Sequence, residues 1–162
     1  MTTIAIDLDG ALGDTRPLWE AFLADLARRF APIAELDPSG LPRDRLQAAR
    51  ALDAWAERGV GDWRRALERF AEDHAALYVR PNAAANAALR TLKARGARIV
   101  VFTDAPDPLP RIALAQLGLS RTVDAVEKGD GRRTRGGDEA AQLIPTREAL
   151  AEAVAAPGYH QT

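Results

Sequence analysis

Asp7 and Asp9, separated by Leu8 and followed by Gly10, close an apolar run of Ile4, Ala5 and Ile6 at the start of the chain. Alternate residues of an extended strand share a face, so the two carboxylates point the same way from the end of a buried strand. Carboxylates that close repel each other, and the pair persists only where a cation or a shared proton neutralises it. Metal-assisted and proton-transfer chemistry both use such a pair. A second uninterrupted apolar run, Ile99, Val100, Val101 and Phe102, ends in Thr103 and Asp104.

The elements that must carry these residues follow from the pattern. Residues 3–8 read as a central parallel strand, because the apolar run does not alternate with polar residues. Leu18, Trp19, Phe22, Leu23, Leu26 and Phe30 recur at helical spacing, with Pro17 in the first turn where its missing N–H costs little. After a loop holding Pro32, Pro38, Gly40 and Pro42, helices are expected over residues 44–58 and 62–78, with Gly59 and Gly61 at the join. From Asn82 the pattern becomes helix to Arg95, stop at Gly96, strand over 97–102. A helix over 109–117 ending at Gly118, a short strand over 122–126, an apolar run over 140–144 and a helix from Pro145-Thr146 to about Val154 complete the reading. Residues 127–138, with four glycines and three arginines, read as a loop. The expected class is α/β: a Rossmann-like three-layer sandwich with a central parallel sheet and a helical cap insertion. Its divisions are an α/β core of residues 1–13 and 82–156, the insertion of residues 14–81, and a tail of residues 157–162.

Composition narrows the function. The 162 residues suit one core with one insertion, and a hydrophobic fraction of 47% opposes general disorder. A formal net charge of -1 supplies no field to attract nucleic acid or an anionic membrane, so neither is an expected partner. Without cysteine there is no disulfide, thiol nucleophile or thiolate zinc site, and His74 and His160 are far apart in sequence. No apolar run approaches the ~20 residues of a spanning helix, and the N-terminus lacks a signal-peptide layout, so the expected location is cytoplasmic. Trp19, Trp55 and Trp63 sit at core-like spacing and are expected to pack rather than to stack on a substrate. Asp14 is expected to cap the first helix, and Arg132, Arg133 and Arg135 to lie on a solvated loop.

The strand ending in Asp7-Leu8-Asp9-Gly10, the helical insertion, and the strand Ile99-Val100-Val101-Phe102-Thr103 after Leu92-Lys93-Ala94-Arg95-Gly96 resemble the haloacid dehalogenase superfamily of phosphatases and related hydrolases. Tyr78-Val79-Arg80-Pro81-Asn82, and Leu117-Gly118-Leu119 followed by Val123-Asp124-Ala125-Val126, are also similar to that family. The likeness spans roughly residues 3–128. It implies that Asp7 attacks a phosphoryl group and carries it as an aspartyl phosphate, and that Asp9 protonates the leaving oxygen and later helps deprotonate water. It implies magnesium held by the Asp7 carboxylate and the Asp9 backbone carbonyl. Thr103 would donate to a phosphoryl oxygen at the strand end, where open α/β sheets bind ligands, with Asp104 beside it. Gly10 and Gly13 would let the backbone turn tightly and bring N–H groups near the phosphate. Lys128 is the candidate cation that pairs with nucleophile and phosphate, with Arg111 in reserve.

The sequence departs from the family where acids should end the last strand: Ile144 is followed by Pro145, Thr146, Arg147 and Glu148. Glu148, Asp104 or Asp107 are the candidates to fill that place, since Asp138-Glu139 follows a polar stretch unsuited to a buried strand. The expectation is a magnesium-dependent phosphatase of a small phosphorylated metabolite. The alternative is a non-catalytic relative that binds a phosphorylated ligand or a protein partner through the same cleft.

Overall fold

The computed structural model describes residues 2–32, 36–132 and 141–157. Strand β1 (Thr3–Asp7) is paired in parallel with β2 (Arg98–Thr103) on one side and β4 (Gln142–Ile144) on the other. β3 (Ala125–Lys128) adds in parallel to the far edge of β2, giving the order β3-β2-β1-β4. Thr3 to Ile6 in β1 and Ile99 to Thr103 in β2 are buried without alternation. Both faces of these strands are therefore covered, and that is why they read as continuous apolar runs.

Between β1 and β2 the chain forms α1 (Arg16–Phe30), α2 (Arg45–Trp55), α3 (Trp63–Tyr78) and α4 (Ala83–Ala94), with no strand among the described residues. Asp44 caps α2 by accepting from the Leu46 and Gln47 N–H groups, and Asn82 caps α4 through Ala85 N–H. A turn over Ala56–Val60, with Gly59 at φ 114, breaks the helical stretch expected to reach Arg58. α1 packs on α3, where the rings of Trp19 and Trp63 meet edge to face at 6.4 Å between centroids. Trp63 also donates to Asp53, and none of the three tryptophans lines the cavity described below.

After β2 come α5 (Leu109–Leu117), which packs on α3, and β3; α6 (Arg147–Ala155) follows β4 and packs on α4. The strand expected over 122–126 begins three residues later and runs through Lys128. Its register is set by β2, Val100 pairing with Ala125 and Thr103 with Lys128. Glu127 and Lys128 thus belong to the sheet and not to the loop read from the sequence. Arg133, Arg135, Asp138, Glu139 and His160 lie outside the described residues. Among the described residues no helix is long and apolar enough to cross a membrane.

Candidate active site

β1 ends at Asp7, and the chain passes directly into a wide π-helical turn, Leu8–Leu12, closed by Gly13 N–H donating to the Leu8 carbonyl at 2.8 Å. Leu8, Ala11 and Leu12 anchor that turn in the core. The Asp7 carboxylate accepts from the Asp9 N–H at 3.1 Å. Burial pushes its carboxyl above the ordinary 3.8, Asp9 and Asp104 add repulsion, and hydrogen bonds from the Gly10 and Asp9 N–H groups oppose the rise.

Asp9 is held very differently. Its Oδ1 accepts from the Thr15 N–H (2.8 Å) and hydroxyl (2.5 Å), and its Oδ2 accepts from Arg45 Nη2 (2.7 Å) and the Thr103 hydroxyl (3.0 Å). Thr103 ends β2 one strand over and accepts from the Ala105 N–H at 3.1 Å. Asp7, Asp9, Gly10, Thr103 and Asp104 line one cavity of about 640 Å³. The helical segment contributes Asp14, Arg16 and Asp44 to it, and the turn after β3 contributes Gly129 and Asp130. Asp14 also accepts from the Arg16 N–H at 3.0 Å, at the first residue of α1.

A half-buried carboxylate, a second acid two residues on, and a hydroxyl at the neighbouring strand end meet at the carboxyl edge of a parallel sheet, where α/β folds bind ligands. A family model described as haloacid dehalogenase-like hydrolase matches residues 4–161. The chain belongs to that family of hydrolases. Solved structures of haloacid dehalogenase-like proteins share its fold. A putative β-phosphoglucomutase from Thermotoga maritima superposes with TM-score 0.55 at 16% identity, over 96% of this chain and 82% of that one. CbbY from Rhodobacter sphaeroides, in complex with phosphate, gives TM-score 0.59 at 17% identity, over 88% and 77%. A phosphatase of the family from Thermococcus onnurineus gives 0.52 at 18%, over 95% and 83%. No curated protein matches the chain.

Three of the groups considered for the site are engaged by other residues. The Lys128 ammonium donates to the Ala105 carbonyl at 2.5 Å, pairs with Asp107 at 2.9 Å, and is not part of the cavity lining. Strand pairing at the edge of β2 directs it there. Arg111 pairs with Glu68 on the surface. Asp104 lines the cavity, yet both its oxygens are engaged, Oδ1 by Arg45 Nε (3.0 Å) and Oδ2 by the Arg45 N–H (3.0 Å) and Arg16 (3.3 Å). It anchors the helical segment and offers a substrate no unengaged oxygen.

The place of the fourth family motif is filled by backbone. Gly10 lies so close to the Pro145 carbonyl that an added Cβ would come within 2.1 Å of its oxygen. Any side chain there would force the backbone to move, and Gly10 also lines the cavity. Glu148 is exposed in the first turn of α6, outside the cavity lining, and Asp107 is taken by Lys128. Among the described residues no group of three or more His, Cys, Asp or Glu side chains could hold a metal ion. What the site offers a cation is the half-buried Asp7 carboxylate, whose charge is opposed by burial and by the neighbouring Asp9 and Asp104. That fits magnesium, which is commonly held by one or two carboxylates with waters and a substrate phosphate, and does not fit a metal needing a protein cage.

Arg45 is the group the sequence reading missed. It is wholly buried at the first position of α2 and touches Asp9, Thr15 and Asp104. One signal was present: a cation in the first turn opposes the helix dipole, so an arginine directly after the capping Asp44 needs a compensating acid from elsewhere.

Proposed function

We propose that this chain is a magnesium-dependent phosphohydrolase of a small phosphorylated metabolite, working through an aspartyl phosphate on Asp7. One observation carries the reading: Asp7, Asp9 and Thr103 share a single cavity at the carboxyl ends of adjacent parallel strands. An Asp7 oxygen forms a bond to phosphorus while the bond to the leaving oxygen breaks, and a proton on Asp9 passes to that oxygen. Asp9 then takes a proton from a water whose oxygen attacks phosphorus, breaking the Asp7–phosphorus bond and freeing phosphate. The Thr103 hydroxyl donates to a phosphoryl oxygen. Asp7, through its carboxylate, and Asp9, through its backbone carbonyl, would hold a magnesium ion, which would supply charge neutralisation between nucleophile and phosphate.

Trapping of trifluoroberyllate, followed by fluorine magnetic resonance, tests this without a guess at the substrate. The expected result is a magnesium-dependent adduct that Asp7→Asn abolishes in a folded protein, with turnover of 4-nitrophenyl phosphate falling at least about a thousandfold. Turnover that survives Asp7→Asn would sink the mechanism. A second reading, a non-catalytic relative that binds a phosphorylated ligand or a protein partner, is favoured by the absence of an acid from the three residues after Ile144. Magnesium-independent binding of inorganic phosphate with no adduct would support it.

A further inference from the structure

We propose that Arg45 is a positioning residue for proton transfer, setting the orientation of the Asp9 carboxylate from the helical segment. This rests on the reading of Asp9 as the proton carrier. Arg45 is fully buried and absent from the cavity lining, so it acts through its neighbours and not on a substrate. Its planar fork makes four contacts in three directions. Nε and Nη2 hold Asp104 Oδ1 at 3.0 and 2.8 Å, Nη1 donates to the Thr15 hydroxyl at 2.6 Å, and Nη2 donates to Asp9 Oδ2 at 2.7 Å.

Thr15 in turn donates to the other Asp9 oxygen, so Arg45 grips the carboxylate directly at one oxygen and through Thr15 at the other. Asp104, whose second oxygen accepts the Arg45 N–H, fixes the base of the fork to the end of β2. The carboxylate plane of Asp9 is thereby referenced to two elements at once, the strand edge and the N-terminus of α2. A displacement of about 1 Å in a reacting group costs on the order of a hundredfold in rate, so a grip of this kind has a measurable kinetic role. Lysine keeps the charge but not the fork, and a point charge cannot reach Asp9, Thr15 and Asp104 together.

A residue that only docks the helical segment would, when altered, slow every substrate alike. A residue that aims Asp9 would slow most the substrates whose leaving oxygen needs its proton. In the first half-reaction the Asp7–phosphorus bond forms, the phosphorus–phenol oxygen bond breaks, and the proton on Asp9 goes to that oxygen. Phenolate requires this proton, whereas 4-nitrophenolate leaves without it.

The experiment measures single-turnover release of the phenol from phenyl phosphate and from 4-nitrophenyl phosphate, in wild type, Arg45→Lys and Thr15→Val. Trifluoroberyllate trapping is run alongside. The expected result for Arg45→Lys is an intact Asp7 adduct, an unchanged KM, and a loss on phenyl phosphate exceeding that on 4-nitrophenyl phosphate by about tenfold or more. Thr15→Val should show the same pattern with a smaller difference, and it carries the test alone if Arg45→Lys does not fold. Equal losses on the two esters, or no loss, overturn the proposal while leaving the phosphohydrolase reading in place. A wild-type protein that gives neither adduct nor phenol release overturns both.

Discussion

The two flanks of β1 are built in opposite ways. On the β2 flank the polar groups are tied to one another: Asp9, Thr15, Thr103, Asp104 and Arg45 form one connected set. On the β4 flank, among the described residues, Gly10 packs on the Pro145 carbonyl and Ile144 is followed by Pro145, Thr146 and Arg147 with no acid among them. A parallel sheet offers the same kind of strand end on both sides, so the contrast comes from what is delivered to each. Among the described residues, one flank receives a buried guanidinium from α2, and the other receives main chain from Pro145.

The largest effect expected from disturbing this contrast is on the β2 flank. Arg45→Met leaves Asp9 and Asp104 without their buried cation and should cost about 3–5 kcal/mol, read as a lowered urea midpoint. A loss below ~1 kcal/mol would show that the two flanks differ less than their contacts indicate. Acid should attack the same pair. Burial alone would raise the Asp104 carboxyl, but the Arg45 N–H, the Arg45 charge and its side-chain hydrogen bond, with Arg16, bring it below its ordinary 3.8. Its stabilising contribution is therefore complete above 3.8 and disappears as pH falls through the lower folded value. Urea titrations repeated at falling pH should show wild type losing stability in that acid window, and Asp104→Asn losing less.

On the β4 flank Gly10→Ala must move the backbone near Pro145, an overpacking cost of about 1–3 kcal/mol, measured the same way. The smallest effect belongs to the outer edge of β2. Lys128 pairs with an Asp107 that is 78% exposed, so Lys128→Met should change stability by only about 0–1 kcal/mol and leave the trifluoroberyllate adduct intact. Loss of the adduct in that variant would mean that Lys128 serves Asp7 after all.

Much of this architecture could be read from the chain because its signals are local. Uninterrupted burial of β1 and β2 is written in apolar runs, and the expected bounds of α5 match Leu109–Leu117, where Gly118 at φ 74 ends the helix. Asp7 and Asp9 were visible for the same reason, as acids at the end of such a run. The short strand β3 was misplaced because its bounds are imposed by pairing with β2, and nothing between Thr122 and Lys128 marks them. Lys128 was legible only as the cation the family resemblance implies; its partners Ala105 and Asp107 follow from pairing of β3 with β2, which no local pattern marks. Arg45 stands at the start of the helix expected over residues 44–58, a place that does not say what its side chain meets. Its burial depends on Asp104, 59 residues away in sequence, a pairing that no local pattern announces.

Thr103 carries a consequence of a different kind. Its hydroxyl accepts from the Ala105 N–H and gives its single hydrogen to Asp9. A hydroxyl has no second hydrogen to offer. Any oxyanion that becomes Thr103's recipient therefore takes the place of Asp9, which keeps Thr15 and Arg45 but is released on one side. Occupancy of the strand end and freedom of the neighbouring carboxylate are, through that one hydrogen, mutually dependent.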